Sequence, residues 1–209
     1  MADSLDQVAQ EVSICTRCPL HQGRGNAVPG EGPPDASIMF IGEGPGFHED
    51  RQGRPFVGNA GQFLEQMLAS IGLRREDVFI TNVVKCRPPN NRDPLPEEIE
   101  ACQGYLDRQI ELINPKVIVT LGRFSMARWF PDARISKIHG QGRRIGDRMI
   151  VAFYHPAAAL HQPTLRQVVE EDFKKLPHYV AQIQGGPAAE KPPLPDEEEP
   201  DEGVQLSLF

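Results

Sequence analysis

Four short apolar runs set the architecture of this 209-residue chain. They span Ser37–Ile41, Val78–Val83, Val117–Leu121 and Met149–Phe153, and they largely lack the alternation of a half-exposed strand. Near-continuous runs rich in Ile and Val are the pattern of parallel strands covered on both faces. Helical patterns lie between them. Gly61–Ile71 gathers Phe63, Leu64, Met67, Leu68 and Ile71 on one face. Pro96–Ile113 opens with Pro and two glutamates and stops before Pro115, a proper helix start and end. Leu165–Ile183 is a final amphipathic stretch. The alternation predicts an α/β fold, a three-layer α/β/α sandwich around a central, mostly parallel four-stranded sheet. Ligands of such sheets bind beyond the carboxyl ends of the strands, so the residues after each run are the ones to inspect.

All four cysteines fall into one pattern: Cys15 and Cys18 as C-x-x-C, then Cys86, then Cys102. Thiolates gathered in this way bind zinc or an iron–sulfur cluster. Cys86 and Cys102 are separated by a loop holding Pro88, Pro89, Pro94 and Pro96. That wide split is unlike the paired knuckles of a zinc ribbon and favours a cluster that pins an N-terminal arm onto a preformed domain. The N-terminus has no leader-like apolar run and looks cytosolic, and a cytoplasmic protein is expected to keep its thiols reduced rather than form two disulfides. No apolar run approaches membrane-spanning length, so no membrane association is expected.

The net charge of −7 is unevenly spread. Residues 185–209 hold seven acids and one base, and residues 1–184 are within one charge of neutral. The first 184 residues therefore read as the folded domain, and residues 185–209 as a disordered acidic, Pro-rich tail. Residues 123–148 carry seven bases against two acids, a local excess that suits a polyanion partner. The tail ends in an apolar plug, Gln205-Leu206-Ser207-Leu208-Phe209. It resembles the QLSLF-type peptides with which bacterial DNA-maintenance proteins dock onto the polymerase sliding clamp, so Gln205, Leu206, Leu208 and Phe209 are candidate clamp contacts.

The strand ends carry the chemistry. After the first run comes Gly42-Glu43-Gly44-Pro45-Gly46, then Glu49 and Asp50, then Gly53-Arg54-Pro55-Phe56-Val57-Gly58. The segment lacks a phosphate-binding signature and its acids would repel a phosphate; the glycines instead let the backbone approach a flat ligand. Near the end of the second run stands Asn82, whose side chain offers donor and acceptor together, the pair that reads an imide edge. The last run leads into Tyr154-His155-Pro156, where a His at a strand exit is suited to stabilise a developing anion.

Together GEGPG…ED, GRPFVG, TNVVKCRPP, VIVTLG and HPAAAL, with cysteines at these spacings, resemble the family 4 uracil-DNA glycosylases, the iron–sulfur class of bacteria and archaea. The resemblance spans roughly residues 10–178. It implies the uracil-DNA glycosylase fold and a 4Fe–4S cluster on Cys15, Cys18, Cys86 and Cys102. It implies that Phe56 stacks on the flipped uracil, Asn82 bonds its imide edge, and the Gly42, Gly44 and Gly46 loop lines the pocket. His155 would stabilise charge on uracil O2 as the glycosidic bond breaks.

The chain departs from the best-known uracil glycosylases, which have an aspartate and a tyrosine where Gly44 and Gly46 stand. Glu43 is the expected holder of the water and Glu49 the closer of the methyl pocket, with Asp50 an alternative for either. A related class traps the sugar on a loop histidine; Asn90-Asn91-Arg92-Asp93 holds no such His, so turnover is expected. Arg143, Arg144 and His139 of the basic stretch are expected DNA contacts, and Leu160 a wedge beside the extruded base. A monomer acting on single- or double-stranded uracil-containing DNA in base excision repair is the leading expectation. The competing one is a non-catalytic iron–sulfur uracil or DNA binder tethered to the clamp, and a third is a zinc-bearing nucleotide-binding protein.

Overall fold

The computed structural model describes residues 3–185; the acidic tail and the clamp-like peptide Gln205, Leu206, Leu208 and Phe209 lie outside the described residues. The chain begins with helix α1 (Leu5–Ser13), capped by the Ser4 hydroxyl accepting from Gln7 N. Strand β1 (Ile38–Gly42) leads to α2 (Phe47–Gln52) and α3 (Asn59–Ser70). Strand β2 (Phe79–Asn82) precedes α4 (Pro96–Ile113), and β3 (Val117–Leu121) precedes the short α5 (Arg123–Ala127) and α6 (Ile135–Ile138). A hairpin of β4 (Gln141–Ile145) and β5 (Arg148–Phe153) is followed by α7 (Pro156–His161) and α8 (Thr164–Ile183).

The sheet order is β2-β1-β3-β5-β4. The first four strands run parallel, with Gly42 opposite Asn82 and Leu121 opposite Phe153, and β4 is antiparallel to β5. The four predicted strands are present, and the fourfold count is corrected to five. The added strand, Gln-Gly-Arg-Arg-Ile, is exposed along most of its length, because an edge strand needs no apolar face to be held by its ladder. Its polar sequence hides it from a search for apolar runs.

Both sheet faces are covered. Met39, Ile41, Ile118 and Ile150 pack under α1 and α4, with Val8, Val12, Tyr105, Leu106 and Ile110. Ile38, Phe40, Val119 and Phe153 point the other way, into Phe63, Leu64, Leu68 and Phe173 from α3 and α8. The Phe40 and Phe173 rings stack at 6.1 Å between centroids. Each such fully buried side chain contributes about 2 kcal/mol. Adjacent residues of one strand thus serve two cores, which is why the runs show no alternation. No helix among the described residues is long and apolar enough to cross a membrane.

Candidate active site

A cleft of about 540 Å³ opens at the carboxyl ends of the parallel strands. Its walls include Glu43, Gly44, Gly46, Glu49, Phe56, Asn82 and His155, which the sequence brings from three strand ends to one place. Gly42 does not reach the cleft; it lies behind it. A Cβ on Gly42 would stand 2.6 Å from the Phe56 ring and closer still to Asn82 Oδ1, so only glycine lets ring and amide sit side by side.

Asn82 is buried at the end of β2, and its Oδ1 has no hydrogen-bond partner. An orphaned buried acceptor costs about 1–3 kcal/mol, and at the edge of a cleft it is free to take a donor from a bound group. His155 follows β5. Its Nδ1 receives a hydrogen bond from the backbone N–H of Ala157 at 3.1 Å. A backbone N–H can only donate, so Nδ1 is the acceptor and the neutral ring carries its proton on Nε2. Burial lowers His155 to about 4, against a smaller opposing pull from Glu49. The ring is therefore a neutral donor near neutral pH.

Phe56 stacks on His155 at 5.5 Å between centroids. Its backbone is in the left-handed region, φ 51°, a conformation that costs a non-glycine residue about 1 kcal/mol or more. Arg75 holds it there: its guanidinium donates to Phe56 O at 2.8 Å and to Pro55 O. Arg75 also pairs with Glu31, which Arg54 grips in a two-pronged ion pair. Glu31 exchanges backbone hydrogen bonds with Ile80 of β2, so the strand that ends in Asn82 and the loop bearing Phe56 are tied together. Sequence reading passed over Arg75 and Glu31, because 44 positions separate them and no local pattern joins them.

The three acids separate in role. Glu43 is half-buried; burial, helped by the nearby Asp93 carboxylate and opposed by Arg123, raises it above the ordinary glutamate value. Glu49 Oε1 accepts from Val57 N and Gly58 N at 2.8 Å each and so fixes the turn after Phe56. Asp50 is buried away from the cleft, with Oδ1 accepting from Gly25 N at 2.8 Å, a structural anchor between the N-terminal arm and α2. Asn91, Arg92, His48 and His161 also line the cleft. Asn91 sits at φ 54°, and Arg92 is committed to the buried Glu98 at 2.7 Å.

The four cysteines are free thiols that line one cavity beneath the end of α1 and beside α4. Three receive N–H donors: Arg24 Nη1 to Cys86 Sγ at 3.2 Å, Lys85 N to Cys102 Sγ at 3.3 Å, and Arg17 N to Cys15 Sγ at 3.5 Å. Among the described residues no three His, Cys, Asp or Glu side chains are set for one metal ion. A single zinc would need sulfurs about 2.3 Å from one centre; the four thiols share one small cavity, and N–H donors at three of the sulfurs are of the kind that tune a sulfur-held cluster. Burial raises Cys102 to about 11 and lifts Cys18 and Cys86 above the usual thiol value, so without a metal centre they hold their protons.

The model of the uracil DNA glycosylase superfamily matches residues 29–179. The chain belongs to that superfamily. Among its relatives, a type-4 uracil-DNA glycosylase of Sulfurisphaera tokodaii is 55% identical over 184 residues, covering 83% of this chain and 84% of that one. One from Archaeoglobus fulgidus is 52% identical, covering 83% of this chain and 92% of the relative. One from Thermotoga maritima is 46% identical, covering 84% and 94%.

Of the expected DNA contacts in this superfamily member, Leu160 is 43% exposed on α7, on the helix whose Ala157 and His161 line the cleft. His139 is engaged: Nδ1 bonds the buried Asp172 at 2.7 Å and its ring tilts against Tyr154. Arg143 and Arg144 lie opposite Ile150 and Met149, toward the end of β5 remote from His155. The structure does not bring these two arginines to the cleft.

Proposed function

We propose that this chain is a monofunctional uracil-DNA glycosylase that extrudes uracil from DNA, hydrolyses its N-glycosidic bond and so starts base excision repair. The observation that carries the reading is the pairing of an unsatisfied Asn82 Oδ1 with a neutral His155 that bears its proton on Nε2, both beside the Phe56 ring. An imide N–H satisfies the first, and an oxygen gaining negative charge is what the second stabilises. In this mechanism the extruded base stacks on Phe56. Asn82 accepts from N3–H, and Nε2–H of His155 donates to O2. The bond from N1 to C1′ breaks with its electron pair going to the base, leaving an oxocarbenium-like sugar. Water held by Glu43 adds to C1′ and gives up a proton, yielding an abasic site and free uracil. Glu49 shapes the wall of the pocket where thymine would carry its methyl.

Cys15, Cys18, Cys86 and Cys102 are proposed to hold a 4Fe–4S cluster; convergence on one cavity and the N–H donors at three sulfurs support it. The cluster's contribution is structural, fastening the N-terminal arm and the Pro-rich loop to the sheet. Leu160 as wedge, His139, Arg143 and Arg144 as backbone contacts, a clamp contact through the C-terminal peptide, a monomeric state and a cytoplasmic, nucleoid-associated location belong to the same proposal and rest on the sequence.

The test is release of free uracil from a uracil-containing oligonucleotide, with a thymine strand as control. Uracil-dependent release and alkali-labile strands are expected. Tight retention of the uracil strand with no release would turn the reading to a binding module.

A further inference from the structure

We propose that Phe47, Arg51 and Arg87 form a docking surface for a single DNA strand, on which a base next to the extruded uracil stacks against the Phe47 ring. The inference rests on the glycosylase reading above. Phe47, the first residue of α2, is 47% exposed; it is the one exposed Phe, Tyr or Trp among the described residues. It stands in the wall of the uracil cleft, at its mouth, together with Asn91 from the Pro-rich loop. Two cations lie over the ring, Arg87 at 5.2 Å and Arg51 at 5.7 Å from its centroid, and the His48 ring meets it edge-on at 5.5 Å.

Arg87 is aimed by a 2.6 Å hydrogen bond from its Nε to Asn91 Oδ1. Neighbouring arginines are engaged otherwise, Arg92 with Glu98, Arg123 with Asp93 and Arg54 with Glu31. Among the described residues, Arg51 and Arg87 have no carboxylate partner of this kind. The acids of the cleft, Glu43 and Glu49, belong to its half-buried wall, so positive charge and aromatic surface coincide at the lip.

A ring in water beside two unpaired guanidinium groups matches the recognition of single-stranded nucleic acid, in which bases stack on aromatics and cations meet the phosphates. A base inside a duplex is already stacked on both faces and has none to offer. The surface therefore fits an unpaired strand, or the unstacked nucleotide left beside an extruded one. Every base has such a face, so the surface tolerates any neighbouring sequence.

The full-length protein is tested by fluorescence anisotropy with a single-stranded oligonucleotide carrying a tetrahydrofuran abasic analogue, which it cannot cleave, and with the matching duplex. Phe47→Ala is expected to weaken single-strand binding about tenfold and duplex binding less. Phe47→Trp should restore binding, and Arg51→Gln with Arg87→Gln should lower the single-strand salt slope by about 1.4. Unchanged single-strand affinity in Phe47→Ala, equal losses on strand and duplex, or no recovery with Trp would overturn the surface. Excision of uracil by the wild type is scored separately. Its absence overturns the glycosylase reading, whereas intact excision without a Phe47 effect overturns the surface alone.

Discussion

The guanidinium of Arg75 donates to the carbonyl of Phe56 at 2.8 Å and thereby holds the stacking ring in a left-handed backbone conformation. Gly61 completes the clamp, since a Cβ there would run into the same carbonyl. Strain at Phe56 is thus maintained by contacts from the start of the next helix and from the segment before β2, which keep the ring rigid in the wall of the cleft; the proposed mechanism uses it there to receive the base.

Removing the clamp should cost catalysis more than stability. Arg75→Ala is expected to lower kcat/KM about tenfold to a hundredfold, the scale of a small misplacement of a binding group, with Arg75→Lys in between because one donor survives. Steady-state kinetics on a uracil oligonucleotide, beside a thermal melt, is the check. Equal activity in Arg75→Ala would remove Arg75 from the account.

Asn82 presents the opposite balance. Its buried Oδ1 is unsatisfied, so Asn82→Ala deletes a polar atom that the fold does not use. The variant should melt no lower than the wild type while losing about a hundredfold or more in excision, the scale of losing a preorganised polar contact. A marked drop in melting temperature would mean that Asn82 supports the fold rather than the base.

Acidity should act through two groups. The folded-state value of His155 lies near 4, below its ordinary 6.5, so the unfolded chain takes up this proton first. Its contribution is fully present above about pH 6.5 and is lost as pH falls toward 4, to the extent of roughly 3 kcal/mol. His155→Gln should melt with a shallower acid dependence over that window. Glu43 is raised above 4.5 by burial, and its protonation, with that of His155 below it, should set the acid limb of kcat. Glu43→Gln should abolish most activity across the whole range; an acid limb centred on 6.5 in the residual activity of that variant, where Glu43 no longer titrates, would contradict a neutral His155.

The sequence made the strands and the cleft readable for one reason: the parallel strands are buried on both faces, and their ends carry the polar residues that the core excludes. Asn82 stands near the end of the second run, Glu43 and His155 just past the first and last, and the sheet gathers them, while Phe56 reaches them on the loop between α2 and α3. Strand β4 escaped because its exposed residues have no apolar signature. The N-terminal helix was legible in principle, from the Ser4 cap and the spacing of Val8 and Val12. Arg75 and Glu31 were not, since their partners are fixed only by the tertiary fold.

The cysteine cavity gives a prediction of its own. Cys86→Ala removes a thiol that receives a hydrogen bond from Arg24 and lines the same space as Cys15, Cys18 and Cys102. The purified wild type is expected to be brown, with iron and sulfide in a ratio near one. The variant should lose colour and soluble yield together. A soluble, active, colourless variant would show that no cluster is needed to hold the arm.

The most direct measurement is the single-turnover rate of uracil release by the wild type, His155→Ala and Asn82→Ala at saturating enzyme. The account predicts free uracil from the wild type, none from a thymine strand, and losses of about a hundredfold or more in each variant. Wild-type rates in both variants, or no uracil from folded wild-type protein, would contradict it.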